Sequence, residues 1–357
     1  MKILTVAGAR PQFIKVAAVS RILRTKATEV LVHTGQHYDA NMSDIFFEEL
    51  DIPYPNYNLG ISGGTHGHMT GAMLSAIENI LIIEKPDVLL VYGDTNSTLA
   101  AALAAVKLQI PVCHVEAGNR LGTFSNPEEI NRICTDHVAT LLLSCTQSGM
   151  DFLKKENLGS RSKLVGDPMY DAFIYYGEKL ANRAVCDLVD FSGKKIDIPE
   201  MYYYLTCHRE ENTKNDEALK EIFIAMNSLD ALTIYPVHPR NKERAERLCY
   251  ENNFKNIILA QPVGYLTSIY LIKHAKKVVS DSGGVQREAF FAKKPSVTIF
   301  DYIGWPETMV NNCNILSKAN ATEILEKLSI NPCFDDDYKP FGDGHASEKI
   351  VKELLKM

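Results

Sequence analysis

The sequence predicts an α/β protein with two parallel sheets, each covered by helices on both faces. Three observations carry that prediction. At 357 residues the chain is longer than one hydrophobic core normally organises. Its strand-like runs are apolar on both faces and alternate with helical segments, the pattern of a parallel sheet buried on both sides. That alternation runs through the first half and restarts near Met201, so a second sheet is expected with a cleft between the two.

In the first half, Ile3, Leu4, Thr5 and Val6 form a short strand that ends at Gly8. Pro11 suits the opening turn of a helix whose apolar face carries Phe13, Ile14, Ala17 and Ala18. Further strands are predicted at 29–33, 87–92, 112–115, 141–144 and 163–165, with an alanine-rich helix at 97–108. The second half repeats the pattern with strands at 201–205, 232–235, 257–259, 277–279 and 296–299 and a helix at 217–226. The polar stretch 182–199 reads as a surface excursion near the boundary, and the last helix, 347–356, fits either half. Gly63, Gly64, Thr65, His66, Gly67 and His68 read as a turn, either a segment over the cleft or a plain loop.

Composition narrows the function classes. With 46% hydrophobic and 23% charged residues, both halves can bury a core. The net charge of −6, with Lys and Arg dispersed, argues against nucleic acid as the main partner, because phosphate backbones need a basic face, and leaves room for a local basic pocket for one small anion. The eight cysteines, Cys113, Cys134, Cys145, Cys186, Cys207, Cys249, Cys313 and Cys333, form no C-x-x-C pair. They are expected to be reduced thiols of a cytosolic protein. No signal-peptide pattern and no apolar run of about 20 residues is present. The expectation is a soluble, cytoplasmic protein without a membrane partner.

Open parallel sheets bind ligands beyond the carboxyl ends of their strands, so the residues there are informative. Arg10 follows the first strand and Lys15 lies on the next helix; both suit an anion at a helix N-terminus, and both also suit solvated surface. Asp94 ends a buried strand and suits either a helix cap or a site acid. Glu116 ends the next, within His114-Val115-Glu116-Ala117-Gly118, an apolar context that fits solvated surface poorly. Glu128 stands at a helix start in Asn126-Pro127-Glu128-Glu129-Ile130-Asn131-Arg132, where dipole compensation is its common use. Three acids converging on one sheet edge suit general acid–base chemistry.

The second half offers anion chemistry. His208 and Arg209 follow its first strand and suit a diphosphate, with His208 as donor or acid; His238 ends the next strand with the same two readings. Asp281-Ser282-Gly283-Gly284 joins a strand to a helix, so Ser282, Gly283 and Gly284 can hold phosphate oxygens. Glu288, one turn further on, can accept from a ribose diol. Neither G-x-G-x-x-G nor G-x-x-x-x-G-K-[ST] is present, and no HExxH, so neither an NAD enzyme, a P-loop NTPase nor a metal mechanism is supported.

Taken together, Gly8-Ala9-Arg10-Pro11, Thr34-Gly35-Gln36-His37, Gly93-Asp94-Thr95, His114-Val115-Glu116-Ala117-Gly118, Pro127-Glu128-Glu129, His208-Arg209, Pro236-Val237-His238 and Asp281-Ser282-Gly283-Gly284 resemble the non-hydrolysing UDP-N-acetylglucosamine 2-epimerase family. The resemblance runs from Arg10 to Phe341-Gly342-Asp343-Gly344. It implies the glycosyltransferase-B architecture, two Rossmann-like domains with the C-terminal helix crossing back to the first. The expected domains are 1–167 plus 345–357, carrying the acids, and 168–344, binding UDP. It also implies a homodimer, a UDP-sugar substrate, and no NAD or metal. The implied reaction removes the C2 proton, eliminates UDP, and adds UDP back after reprotonation from the opposite face. Asp94, Glu116 and Glu128 would share the proton steps; Arg10, Lys15, His208 and Arg209 would stabilise the departing diphosphate; Ser282, Gly283, Gly284 and Glu288 would hold phosphate and ribose.

Two departures bear on the sugar. Members acting on UDP-N-acetylglucosamine typically begin Thr-Arg-Pro-Glu, where this chain has Ala9-Arg10-Pro11-Gln12, and carry a later Arg-Pro-Glu, here Trp305-Pro306-Glu307. With Asp167-Pro168-Met169-Tyr170-Asp171, these resemble the subgroup acting on UDP-2,3-diacetamido-2,3-dideoxy-glucuronate, whose manno-configured product serves surface polysaccharides. A hydrolysing epimerase, a glycosyltransferase of the same fold and a non-catalytic UDP-sugar sensor share parts of this pattern; the three acids favour the epimerase.

Overall fold

The structure, a computed structural model, describes residues 1–36, 47–181 and 188–357. His37 of the Thr34 motif, Cys186 and the first six residues of the 182–199 stretch lie outside these. The chain divides into two compact units, Met1–Tyr175 with Lys339–Met357, and Tyr176–Tyr338. The division falls inside the helix Pro168–Ala181, where the sequence reading put it at that helix's start.

Seven parallel strands form the sheet of the first unit: β1 (Lys2–Ala7), β2 (Thr28–His33), β3 (Tyr57–Asn58), β4 (Val88–Tyr92), β5 (Val112–Val115), β6 (Leu141–Ser144) and β7 (Ser162–Leu164). Their order is β3-β2-β1-β4-β5-β6-β7, so the chain reverses direction across the sheet between β1 and β4. Leu4, Val6, Val30, Val32, Leu89 and Val91 pack on one face against Met73, Ile77 and Leu81 of the helix His66–Glu84. Ala100, Ala101 and Ala104 of the helix Asn96–Lys107 join them, the small side chains letting that helix sit close to its neighbours. The helix Ala346–Leu354 packs on Arg10–Leu23, which settles its docking on the first unit. Its start is tied down by Asp171, whose carboxylate accepts the N–H of Ala346 (3.1 Å) and Ser347 (2.6 Å).

The second unit repeats the arrangement with β8 (Tyr202–Thr206), β9 (Leu232–Pro236), β10 (Ile257–Ala260), β11 (Val278–Ser280), β12 (Ser296–Ile299) and β13 (Asn314–Ser317), in the order β10-β9-β8-β11-β12-β13. Strand β8 shows why its sequence is apolar throughout. Tyr203 and Leu205 enter a core with Phe223, Tyr235 and Val279, while Tyr202 and Tyr204 enter a second core with Ile234, Leu271 and Val278 on the other face.

Two strands were not anticipated. β3 has only two residues, too few for any periodicity to register. β13 begins with buried Asn314, whose Oδ1 accepts the hydroxyls of Ser296 (2.8 Å) and Thr298 (2.6 Å), a polar element in a position where an apolar one is normally sought. The segment at His66 is a helix rather than a turn. Thr65 caps it by accepting the His68 N–H, so His66, Gly67 and His68 form the first helical turn. Among the described residues no helix is long and apolar enough to cross a membrane.

Candidate active site

Glu116 is the residue immediately beyond β5, and its backbone is left-handed (φ 71°), a conformation that a non-glycine residue adopts at a cost of about 1–3 kcal/mol. Such a cost persists where surroundings over-determine the backbone. Here the N–H groups of Glu116 (3.0 Å) and Ala117 (3.1 Å) both donate to the Leu143 carbonyl of the neighbouring strand. The carboxylate lies 2.6 Å from the Lys15 ammonium, and both side chains are buried (8% and 3% exposed). Gly93, left-handed at φ 63° at the end of β4, faces both groups: a Cβ there would come 3.4 Å from Lys15 Nζ and 3.5 Å from Glu116 Oε1. Two strand ends, those of β4 and β5, and the helix Arg10–Leu23 thus contribute to one acid–ammonium pair.

Beneath it runs a buried chain of charge. His114 is fully buried, its Nδ1 2.7 Å from Asp136 Oδ1 and its Nε2 2.7 Å from the Gly93 carbonyl. Asp136 Oδ1 and the Gly93 carbonyl thus hold the ring from both of its nitrogens. The other Asp136 oxygen accepts the Gly118 N–H (3.0 Å) and Arg120 Nη1 (2.7 Å), and Arg120 continues to Glu156 through two parallel bonds of 2.8 and 2.7 Å. Burial pushes the Asp136 carboxyl up, but the hydrogen bonds and charges of His114 and Arg120 outweigh it and hold the group below the ordinary carboxylate range. This chain fixes the residues on either side of Glu116. Gly118 completes the turn at φ 87°, where a Cβ would lie 2.3 Å from the Gly149 carbonyl oxygen.

Asp94, beyond β4, is not a helix cap. Thr95 caps Asn96–Lys107, and the Asp94 carboxylate instead accepts from Arg132 Nη2. Arg132 is buried, and its Nη1 donates to Glu129 Oε2 (2.6 Å); Glu129 Oε1 accepts from Leu121 and Gly122 (2.9 and 3.1 Å). Burial opposes the Arg132 charge, but the carboxylates of Asp94, Glu129 and Glu128 overcome it and hold the guanidinium above the ordinary arginine value. Glu128 is exposed, in the first turn of Pro127–Val138, so the adjacent acids divide: Glu129 is built into the framework and Glu128 faces solvent. Gln12 joins β1 to β4, accepting the N–H of Gly8 (2.8 Å) and Ala9 (3.0 Å) and donating to the Tyr92 carbonyl (2.8 Å) and Thr98 Oγ1 (2.9 Å). An ionised glutamate, which only accepts, cannot bond the Tyr92 carbonyl. Arg10, half-buried, is the first residue of its helix.

In the second unit, two of the expected residues, His208 and Arg209, gather on Asp281. This fully buried carboxylate accepts the backbone N–H of His208 (2.9 Å) and Arg209 (2.8 Å), and His208 Nδ1 lies 3.0 Å from it. Arg209 Nε donates to the Asp281 carbonyl (2.9 Å); its guanidinium lies 4.4 Å over the Phe300 ring and bonds the Tyr302 hydroxyl. Ser282 caps the helix Gly283–Phe291 by accepting the Val285 N–H, which leaves Gly283 and Gly284 in its first turn. His238 spends Nδ1 on the Arg240 N–H (3.4 Å) as the cap of the short helix Pro239–Asn241. Glu288 is buried (4% exposed). Trp305 is buried too, with the Arg287 guanidinium stacked 4.0 Å over its ring.

Among the described residues, Glu116, Cys145 and Asp167 are spaced as metal ligands can be, one donor atom of each within 4.8 Å of the others. Lys15 already places a positive charge on Glu116, which makes the group an ion-paired acid cluster rather than an open cation cage. Sequence reasoning missed the partners: Arg132, His114, Asp136 and Asp281 all stand inside or beside the motifs quoted for the acids, but nothing local reveals whom they bond. The first unit's arrangement suits proton transfer at a substrate carbon, and the second unit's suits a diphosphate.

Comparison with known proteins agrees with this chemistry. The family model described as UDP-N-acetylglucosamine 2-epimerase matches residues 21–355. A UDP-N-acetylglucosamine 2-epimerase homolog of Methanococcus maripaludis is 47% identical, and the UDP-2,3-diacetamido-2,3-dideoxy-D-glucuronate 2-epimerase of Pseudomonas aeruginosa is 43% identical, each alignment covering 100% of both chains. The crystal structure of Methanocaldococcus jannaschii UDP-GlcNAc 2-epimerase in complex with UDP-GlcNAc and UDP superposes with a TM-score of 0.87 at 37% identity, again over 100% of both chains.

Proposed function

The chain belongs to the UDP-N-acetylglucosamine 2-epimerase family, and from that membership we propose that it inverts C2 of a UDP-linked 2-acetamido sugar by elimination and re-addition of UDP. The observation that carries the proposal is Glu116, held in a strained backbone at a strand end with its carboxylate against buried Lys15. A carboxylate so fixed can take the C2 proton. The C1–O bond then breaks with its electron pair leaving on UDP, and C1=C2 forms. A proton delivered to the opposite face and return of UDP to C1 complete the inversion. The steps are redox-neutral and consume no water. Asp94 and Glu128, linked through Arg132, are the proposed partners in proton return.

Arg10, Lys15, His208 and Arg209 are proposed to stabilise the diphosphate as its charge grows, with His208 also able to supply a proton. Ser282, Gly283 and Gly284 are proposed phosphate contacts, Glu288 a ribose acceptor, and His238 a further contact. Ser282→Ala should weaken UDP about fivefold by calorimetry, the effect of one neutral hydrogen bond; unchanged affinity would remove Ser282 from the phosphate site.

The chain is further proposed to be a cytoplasmic homodimer acting in surface polysaccharide synthesis, an assembly that the exposed Ile82 and Ile83 of the helix His66–Glu84 fit. Light scattering should give twice the chain mass; the mass of one chain would refute it. Trp305 and the Asp167–Asp171 segment support the diacetamido-glucuronate substrate as the second reading. Purified protein should convert a UDP-2-acetamido sugar to its C2 epimer with no acceptor. Accumulation of free 2-acetamido sugar would indicate the hydrolysing reaction instead, and an acceptor requirement a transferase.

A further inference from the structure

Asp136 takes no part in the reaction as set out above, yet its carboxylate grips the chain on both sides of Glu116. It stands in the last turn of the helix Pro127–Val138 and is fully buried. Oδ1 meets Nδ1 of His114, two residues before Glu116, at 2.7 Å. Oδ2 accepts the N–H of Gly118, two residues after it, at 3.0 Å. The span 114–118 therefore closes onto a single carboxylate, with Glu116 at its centre at φ 71°. His114 carries the same hold to β4 through Nε2, 2.7 Å from the carbonyl of Gly93, the residue that faces Glu116 Oε1 and Lys15 Nζ. Arg120 donates to Oδ2 at 2.7 Å and is itself tied to Glu156, which keeps the carboxylate from turning away. The same helix also holds the other strand-end acid: Asn131 Nδ2 donates to the Asp94 carbonyl at 2.9 Å, beside the Arg132–Asp94 pair.

Resting on the epimerase reading, we propose that Asp136 is a positioning residue that holds Glu116 in its left-handed backbone and so aims its carboxylate at the substrate carbon. A glutamate relaxes out of the left-handed region unless its surroundings forbid it. The Glu116 and Ala117 N–H groups both donate to the Leu143 carbonyl, which pins one point of the turn to β6. The two Asp136 contacts, one on each side of that point, fix its direction. Gly118, packed against the Gly149 carbonyl, closes the path the turn would otherwise take. His114 and Arg120 outweigh the burial of Asp136 and keep it ionised at neutral pH, so both of its oxygens stay acceptors. A base displaced by about 1 Å can lose about 100-fold in rate, so a carboxylate beneath the site can set turnover through the residue above it.

The test compares Asp136→Ala with Asp136→Asn, reading backbone amide exchange and C2 proton exchange on each. Asparagine keeps an oxygen for the Gly118 N–H and turns its N–H₂ to His114 Nδ1, which a neutral ring offers as acceptor while Nε2–H serves the Gly93 carbonyl. Alanine does neither. In Asp136→Ala the Glu116 and Ala117 amides, bonded to Leu143 and not to Asp136, should exchange at least about tenfold faster. There kcat should fall about 100-fold with KM within about twofold, and Asp136→Asn should recover kcat to within about tenfold of the unaltered protein. Glu156→Gln cuts the outer end of the same chain and should leave kcat within about twofold, which separates positioning from a general loosening of the fold. Should Asp136→Ala not fold, Asp136→Ala combined with Arg120→Met, which leaves no orphaned guanidinium, is measured in its place. Glu116 and Ala117 amides that exchange at the unaltered rate overturn the proposal. Equal kcat losses in Asp136→Ala and Asp136→Asn, or in Asp136→Ala and Glu156→Gln, overturn it too. Absence of C2 exchange in the unaltered protein, with the amide change present, would count against the epimerase reading and leave the hold on Glu116 standing.

Discussion

Glu116→Gln is expected to lower turnover about 10³-fold while UDP affinity stays within a few fold, a loss typical of removing a general base. Glutamine keeps the size and the hydrogen-bonding reach of the side chain but cannot carry the C2 proton. UDP affinity should change little because Glu116 is not itself a proposed nucleotide contact, and the altered partner of Lys15 accounts for the few-fold allowance. The substitution has a structural consequence as well. It leaves the Lys15 ammonium, 3% exposed, without its carboxylate, and breaking a buried pair from one side costs about 3 kcal/mol. Combining it with Lys15→Met removes the orphaned charge, so stability should return while turnover does not. A variant that recovers turnover along with stability would show that Glu116 is framework and not base; a large loss of UDP binding in Glu116→Gln would show that it contacts the nucleotide.

The second large effect is expected at Asp281. Burial alone would push this carboxyl up, but the hydrogen bond and charge of His208, with the backbone N–H groups of Arg209 and His208, outweigh burial and hold it at about 2. A folded value below the ordinary 3.8 means stability that is fully present above the ordinary value and lost as pH falls through the folded one. The contribution is about 2 kcal/mol at neutral pH, disappearing between about pH 4 and pH 2. Asp281→Asn should therefore cost about 3 kcal/mol by urea unfolding at pH 7, since an amide presents an N–H₂ to groups that donate. The difference between the two proteins should shrink as pH falls from 4 to 2. Because the same carboxylate holds the His208 and Arg209 backbone, UDP affinity should fall with it. Equal stability at pH 7, or a gap that does not narrow in acid, contradicts the assignment.

Much of the architecture was legible because it depends on local chemistry. β1, β4, β5, β8 and β9 are largely apolar on both faces, and the acids beyond β4 and β5 stood out against that background. β3 and β13 were not legible, the first for its length and the second because a buried asparagine bonded to two hydroxyls looks like a loop residue in sequence. The helix His66–Glu84 hid for a different reason. Gly67 and Gly71 weaken its first turns, and it forms because Met73, Ile77 and Leu81 bury against the sheet.

At the site, residue types were readable and partnerships were not. Glu116 was picked out by its apolar setting, but Lys15, placed with the diphosphate in sequence, rests its ammonium on Glu116. The Glu128 and Glu129 pair looked equivalent, and only the fold separates exposed Glu128 from Glu129, which is bonded to Arg132 and two backbone N–H groups. Such pairings span 101 residues in the Lys15–Glu116 case and 22 in the His114–Asp136 case, beyond the reach of any periodicity.

The central claim is that the C2 proton leaves and returns. Proton NMR of the purified protein in D₂O, run separately with UDP-N-acetylglucosamine and with UDP-2,3-diacetamido-2,3-dideoxy-glucuronate, tests it directly. The account predicts loss of the C2 proton signal to deuterium together with growth of the manno isomer, on whichever of the two sugars is the substrate. C2 protons that persist on both sugars while the protein binds UDP would contradict it.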